Sequence, residues 1–418
     1  VPHQIDIFAN YPALKFNADF LRAEANALIG FSKNAYLANS GFGYLGVDGH
    51  VDPSKPLETY IQCRMIQVFA LAHLLGISET QDLVAHGVVS LLDTFQDKVH
   101  GGFYNAITSD GTPIKGEKLA YDHAFVLLAA TAARACDSPR ADELFNSIDA
   151  IIDKYFWDDQ FGMVRNSWNI EFTILSEYRG INSNMHSLEA FAAAFDVTGN
   201  AKYRDRAFQI CKRAIDDFAK NSDWMLPEHF NSKWENDKEF NFDNPADPFR
   251  PYGVTIGHLF EWSRLTLQLI PLMAGTDADL SWVEPAATNL YELAKRIGWS
   301  PDGEPGFVYT VDWDAKPIVR SRMFWVSAEA AMAAYALFDF TGNAKYLEDH
   351  ETWWSYIDKY VKDKFQGSWF HELNPQQRVT SHTWSGKPDT YHALNACLFP
   401  LYAMSSSFIG ITLGHHRL

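Results

Sequence analysis

Apolar residues recur at intervals of three and four along most of the chain. The spacing predicts helices over residues 16–31, 57–75, 80–95, 121–135, 141–156, 185–197, 201–218, 255–273, 278–297, 324–338, 345–361 and 390–402. That makes twelve helices. Short insertions rich in glycine and aromatic residues fall between them. Residues 101–106, followed by Ser109-Asp-Gly-Thr-Pro113, read as a hairpin with an Asp-Gly turn. Similar insertions recur at 162–168, 225–230, 306–313 and 367–372, each between two helical patterns.

Internal repetition says how the helices are grouped. Asp196-Val-Thr-Gly-Asn-Ala-Lys-Tyr203 and Asp339-Phe-Thr-Gly-Asn-Ala-Lys-Tyr346 are near copies, each a helix stop followed by a helix start. Weaker equivalents begin at Leu75, Cys136 and Ala274, so the signal returns about every 60 to 80 residues. Six helical pairs are expected, closed into an all-α (α/α)6 barrel that forms one catalytic domain over residues 1–418. An open solenoid of helix pairs is the competing architecture.

If the second helix of each pair lines the centre, its leading end should carry polar groups at the same interval. Arg64, Tyr121, His186, His258, Trp325 with Glu329, and His392 satisfy this, and six helix starts are expected to meet in one pocket. His258 opens an apolar helix after the turn residues Tyr252-Gly253 and Gly257, with Glu261 three positions on. That spacing makes the two neighbours on one helical face. A carboxylate beside an imidazole fixes its tautomer and raises its pKa, which suits proton transfer near neutral pH. The plainer alternative is a buried histidine satisfied by a glutamate. His186 has Glu189 at the same distance, and His392 has Asn395.

Composition narrows the function. The chain of 418 residues is 47% hydrophobic and carries a formal charge of −17 without a Lys/Arg cluster, which argues against nucleic-acid and anionic-membrane partners. Aromatic residues reach 15%, with 13 Trp, and flat rings suit either a sugar-binding site or a large helical core. Cys63, Cys136, Cys211 and Cys397 are widely spaced and read as small core residues in a reducing compartment. No apolar run of membrane-spanning length occurs, and residues Val1 to Asp6 lack a leader pattern, so a cytoplasmic address is expected.

These residue types suit carbon-acid chemistry on a sugar. Moving a carbonyl between C1 and C2 of an open-chain aldose takes a proton from C2, passes through a cis-enediolate and returns the proton to C1. One histidine can do both steps, and Arg64 can stabilise the enediolate oxygen. Tyr121 and Asn182 would orient hydroxyls, and Trp325 would stack on the sugar. No cofactor or metal is required. Metal-dependent isomerases need several carboxylates converging with a histidine, and no HExxH or HxH motif is present, although His258-x-x-Glu261 is a possible ligand pair. An inverting glycosidase would need two opposed carboxylates, with Glu261 and Glu329 as candidates. A carbohydrate-binding scaffold without activity is the alternative from another class. His73, His86, His123, His229, His350 and His382 are expected to be structural or on the surface.

Four long motifs, in order, carry a resemblance to a known family: Tyr178-Arg-Gly-Ile-Asn-Ser-Asn-Met-His186, Pro251 to Trp262, Gly306 to Val319, and Gly386-Lys-Pro-Asp-Thr-Tyr-His392. Nearly the whole chain resembles the N-acylglucosamine 2-epimerase superfamily, and most closely its bacterial aldose–ketose isomerase branch, the D-mannose isomerases with their sulfoquinovose isomerase relatives. The resemblance implies an (α/α)6 barrel and metal-free proton transfer, with His258 and His392 as the acid/base pair. It carries over Arg64, Tyr121, Asn182, His186, Arg250, Glu261, Trp325 and Glu329 as pocket residues. By that analogy His392 moves the proton between C2 and C1, while His258, supported by Glu261, assists ring opening. The sulfosugar branch tends to carry Gln where this chain has Pro388, which favours a neutral hexose. The implied reaction interconverts D-mannose and D-fructose, with D-lyxose and D-xylulose as further substrates. A sugar 2-epimerase acting on N-acylglucosamine or cellobiose, and a sulfoquinovose isomerase, are the alternatives on the same fold. A homo-oligomer is compatible with the sequence.

Overall fold

The computed structural model describes residues 14–414 apart from Lys115; the leader reading at Val1 to Asp6 lies outside the described residues. Six helices form an inner ring: α2 (Thr59–Leu74), α4 (Ala120–Ala135), α6 (Ile181–Thr198), α8 (Ile256–Leu272), α10 (Phe324–Thr341) and α12 (Tyr391–Leu398). Each packs against the next, and α12 returns to α2, so the ring closes and the open solenoid is ruled out. Outside it lie α1 (Ala18–Ser32), α3 (Gln81–Ser90), α5 (Ala141–Ile151), α7 (Ala201–Cys211), α9 (Val283–Gly298) and α11 (Ala344–Tyr356). The inner helices are apolar almost all round and are buried on every face. The outer ones bury one stripe, as in α9 at Val283, Ala286, Ala287, Leu290, Tyr291 and Ala294.

The duplicated turn sequences fold alike. Gly199 and Gly342 end α6 and α10 at φ 67° and 68°, and Asn200 and Asn343 cap α7 and α11 by accepting from the amides of Lys202 and Lys345. Four outer helices end differently from the sequence expectation. The 3.6-residue repeat gives way to a wider π-turn at Leu91–Phe95, Ile152–Phe156, Lys212–Ala219 and Ile357–Val361. Three of these turns feed directly into an antiparallel pairing: Gln96 with Phe103, Trp157 with Val164, and Lys362 with Trp369.

Two-residue strands organise the end where the inner helices begin. Leu57–Glu58, Lys118–Leu119, Arg179–Gly180, Val254–Thr255 and Arg322–Met323 each lead into an inner helix. Each pairs with a strand from the following connection: Ala106–Ile107, Ser167–Trp168, His229–Phe230, Thr310–Val311 and Glu372–Leu373. The predicted insertions are therefore stitches between neighbouring units. Buried ion pairs reinforce them, Lys118 with Asp97 and Lys387 with Asp363, each lysine also donating to a glycine carbonyl.

A helix that the periodicity did not predict, α13 (Phe408–Gly414), packs against α6 and α2. Seven residues are too few to display a helical repeat. Asp196 on α6 anchors its approach by accepting from the hydroxyls of Ser406 and Ser407. Much of the tryptophan content is packing: Trp262, Trp353, Trp354 and Trp369 are fully buried. The four cysteines are buried and free. Among the described residues, no helix is long and apolar enough to cross a membrane.

Candidate active site

The inner helix starts surround one cavity of about 650 Å3, counting its open mouth. Eight of the ten residues singled out from the sequence line it: Arg64 from α2, Tyr121 from α4, Asn182 and His186 from α6, His258 and Glu261 from α8, Trp325 from α10 and His392 from α12. Glu329 does not line it but lies fully buried against His392. Arg250 is not brought into it either. The Asp247 carboxylate accepts from the amides of both Phe249 and Arg250, and in that tight turn Phe249 faces the cavity. Arg250 is exposed, borders a neighbouring cleft and lies over the Tyr178 and Phe240 rings.

Four imidazoles meet the cavity, and three of them, those of His186, His258 and His392, donate Nδ1–H to a carboxylate. His186 pairs with Glu189 at 2.9 Å, one turn along the same helix. His392 pairs with Glu329 on α10 at 2.9 Å; Asn395, the expected neighbour, leaves its own amide nitrogen without a partner. His258 binds Glu228 at 2.7 and 2.8 Å and not Glu261, which corrects the pairing inferred from helical spacing. Glu228 lies just before the His229–Phe230 stitch, which pairs with Arg179–Gly180 at the approach to α6, and the His229 ring bonds the Pro251 carbonyl on the approach to α8. With Nδ1 committed in this way, Nε2 is the nitrogen each ring can offer to a ligand. Burial holds His186 and His392 below the usual imidazole range, so both are neutral bases at neutral pH.

Beneath the imidazoles three carboxylates surround one guanidinium. Arg264 donates from Nε to Glu329 at 3.0 Å, and its Nη2 lies 3.7 Å from both Glu189 and Glu261. Burial, and then the neighbouring Glu329 and Glu189, push Glu261 well above the carboxylate range and favour its protonated form. Donor atoms of His186, Glu189 and Glu261, and of Glu261, Glu329 and His392, lie close enough together to hold a metal ion. A guanidinium already sits among these carboxylates, so we read them as its counter-charges and not as metal ligands.

Arg64 supplies the cationic wall. It donates to Asp389 at 3.2 Å and to the Tyr121 hydroxyl at 3.1 Å, with the Tyr60, Phe125 and Tyr391 rings 4.8 to 5.2 Å from its guanidinium. Trp325 lies beside two of the imidazoles, 5.3 Å from the His258 ring and 5.8 Å from His392. It packs directly on Gly257, where any Cβ would collide with the indole.

Sequence reasoning missed Glu228, Asp389, His371, Phe249 and Trp384. Asp389 was available within the Gly386–His392 motif, three residues before a histidine already singled out. His371 also lines the cavity, stacked on Phe324 at 3.9 Å, and burial brings its pKa down to about 4. The histidines expected to be structural include His123, His229 and His350, whose ring nitrogens bond the carbonyls of Leu119, Pro251 and Ala331.

Such a site can hold a small polar ligand against aromatic walls, present neutral imidazole bases to it and stabilise negative charge on an oxygen near Arg64. The chain is 43% identical to a D-mannose isomerase of Thermobifida fusca over 392 residues, covering 94% of this chain and 96% of that protein. It is 40% identical to a D-mannose isomerase of Pseudomonas cannabina pv. alisalensis over 397 residues, covering 94% and 95%. A crystal structure of a D-mannose isomerase superposes with a TM-score of 0.86 at 28% identity, covering 94% of this chain and 99% of that one. The family model for N-acylglucosamine 2-epimerase (GlcNAc 2-epimerase) matches residues 41–396, and with that span of its length matched the chain belongs to this family.

Proposed function

We propose that the protein is an aldose–ketose isomerase that interconverts D-mannose and D-fructose by proton transfer between C2 and C1. The observation that carries this reading is the pair His258 and His392. Both open onto one cavity, both have a dedicated carboxylate on Nδ1, and both lie beside the same indole. One base can open the pyranose ring while the other handles the carbon acid. We assign ring opening to His258, supported by Glu228, and the C2-to-C1 transfer to His392, supported by Glu329. A carbon acid needs its conjugate base stabilised, and Arg64, kept cationic by Asp389 and Tyr121, is the group for the enediolate oxygen. Tyr121, Asn182 and His186 would orient hydroxyls. The neutral Pro388 at the wall fits an uncharged hexose better than an anionic one.

Incubation with D-mannose in heavy water, followed by NMR, tests the assignment. Fructose carrying deuterium at C1 is the expected product. Glucose in its place would make the protein a 2-epimerase, and no product from D-mannose or D-lyxose would remove the isomerase reading.

A further inference from the structure

We propose that Arg264, which cannot reach the substrate, is a positioning residue that holds His392, the carbon base, and His186 beside it with Nδ1 protonated and Nε2 free. Its guanidinium lies one layer below the cavity and is 1% exposed. Nε donates to one oxygen of Glu329 at 3.0 Å, and the other oxygen of that carboxylate accepts from His392 Nδ1 at 2.9 Å. Nη2 lies 3.7 Å from one oxygen of Glu189, whose second oxygen accepts from His186 Nδ1 at 2.9 Å. One cation thus stands behind both carboxylates that grip these imidazoles. Its own position is fixed from the far side. Nη1 donates to Gln268 at 2.7 Å, the Gln268 amide donates to the Ser405 carbonyl at 2.7 Å, and the Phe408 ring of α13 lies 5.6 Å from the guanidinium.

The charges that face this group decide what it does. Glu189 comes from α6, Glu261 from α8 itself and Glu329 from α10, while Tyr391 on α12 donates its hydroxyl to Glu189. Arg64 on α2 and the two imidazoles add the remaining titratable groups. Three buried carboxylates cannot all be ionised against one guanidinium. Glu329 accepts from Arg264 and His392 and Glu189 from His186 and Tyr391, whereas Glu261 Oε1 has no hydrogen-bond donor, so Glu261 is the one that takes the proton. Burial raises the Glu329 carboxyl and the Arg264 charge pulls it back down, while Glu189 is brought to about 2 against burial by its His186 hydrogen bond; with Arg264 holding both as ionised acceptors, Nδ1 keeps its proton and Nε2 is left bare. Without Arg264, burial would protonate Glu329 in turn. It would then donate to His392 Nδ1 and move the ring proton to Nε2, where the base is needed.

The inference rests on the isomerase reading, so the test joins an activity measurement to one that needs no substrate. Arg264→Met and Arg264→Lys are compared with the wild-type protein in D-mannose isomerisation as a function of pH. In parallel, histidine-selective 15N NMR reads the ring nitrogens, with His392→Ala to assign the signal. For Arg264→Met, kcat is expected to fall by roughly 100-fold with little change in KM, and the acid limb of kcat to move to higher pH. His392 should change from an Nδ1–H to an Nε2–H spectrum. Arg264→Lys keeps a charge without the fork and should recover about tenfold of the lost kcat, with the acid limb near its original place. Unchanged kcat, acid limb and ring-nitrogen signals in a folded Arg264→Met protein would overturn the proposal. If that variant does not fold, Arg264→Lys and Gln268→Leu are read by the same two measurements. If the wild-type protein turns over no aldose, the functional reading falls, and the nitrogen spectra still decide the role of Arg264.

Discussion

Glu228 and His258 lie thirty positions apart in the chain and 2.7 Å apart in the folded protein, whereas His258 and Glu261, one helical turn apart, share no hydrogen bond. Glu228→Gln should therefore weaken the base at His258 and lower kcat/KM for D-mannose by roughly 10- to 100-fold. Because His258 Nδ1 is committed to Glu228, Glu261→Gln should leave the tautomer of His258 intact, which 15N NMR of that ring can check. The pairing would lose its meaning if Glu228→Gln matched the wild-type rate.

His392→Ala and His258→Ala should differ in kind as well as in degree. Loss of His392 removes the carbon base, so deuterium exchange at C2 in heavy water should fall by about 10³-fold or more. His258→Ala should keep measurable exchange, because ring opening also proceeds without catalysis. Equal abolition of exchange in both variants would contradict the division of labour proposed here.

The acid limb of kcat/KM should lie below pH 6.5, the pKa of a free histidine. Burial, and then the Arg64 charge, hold His392 below its usual range, so falling pH must pass through that lowered value before the base is lost. Activity is fully present above the free-histidine pKa and disappears only as pH drops through the depressed one. A limb centred at or above pH 7 would show that another group governs the reaction.

Chelation separates the two readings of the carboxylate layer. With Arg264 among Glu189, Glu261 and Glu329, dialysis against EDTA should leave the isomerisation rate unchanged. A loss restored by Mn2+, Mg2+ or Zn2+ would mean that the donor atoms around Glu261 hold a metal after all.

Gly257→Ala tests Trp325 without touching it. The added methyl must displace the indole that lies beside both His258 and His392. Small misplacements of reacting groups are costly, so kcat/KM should drop on the order of 10- to 100-fold. Thermal stability should change little, since alanine gains about 1 kcal/mol of helix propensity against the repacking cost. Wild-type kcat/KM in this variant would remove Trp325 from the account.

The twelve long helices were legible because the 3.6-residue repeat runs through them, and the ring was legible because Asp196–Tyr203 recurs at Asp339–Tyr346. The same repeat ran on through the π-turn ends of α3, α5, α7 and α11, where the sequence carries no stop signal, and it had nothing to show for α13. Within the site, residues at helix starts were readable because six units place them alike. Glu228 was not, because its partner lies on another unit, thirty positions on, and the pair is brought together by long-range contacts such as that of the His229 ring with the Pro251 carbonyl. Arg250 illustrates a further limit. It adjoins Phe249 in the sequence, and the direction each takes is set by one Asp247 carboxylate that composition and spacing do not reveal. Arg264 could be placed on α8 but not among its carboxylates, since those arrive from three different helices.

The imidazoles of His186, His258 and His392 all stand on inner helices, while Phe249, Trp384 and Pro388 reach the cavity from the connections. Much of the rim that meets the sugar is thereby mounted apart from the imidazoles. A lineage built on this barrel can exchange its rim, and with it the sugar admitted, while the helices below keep the same acid and base in register.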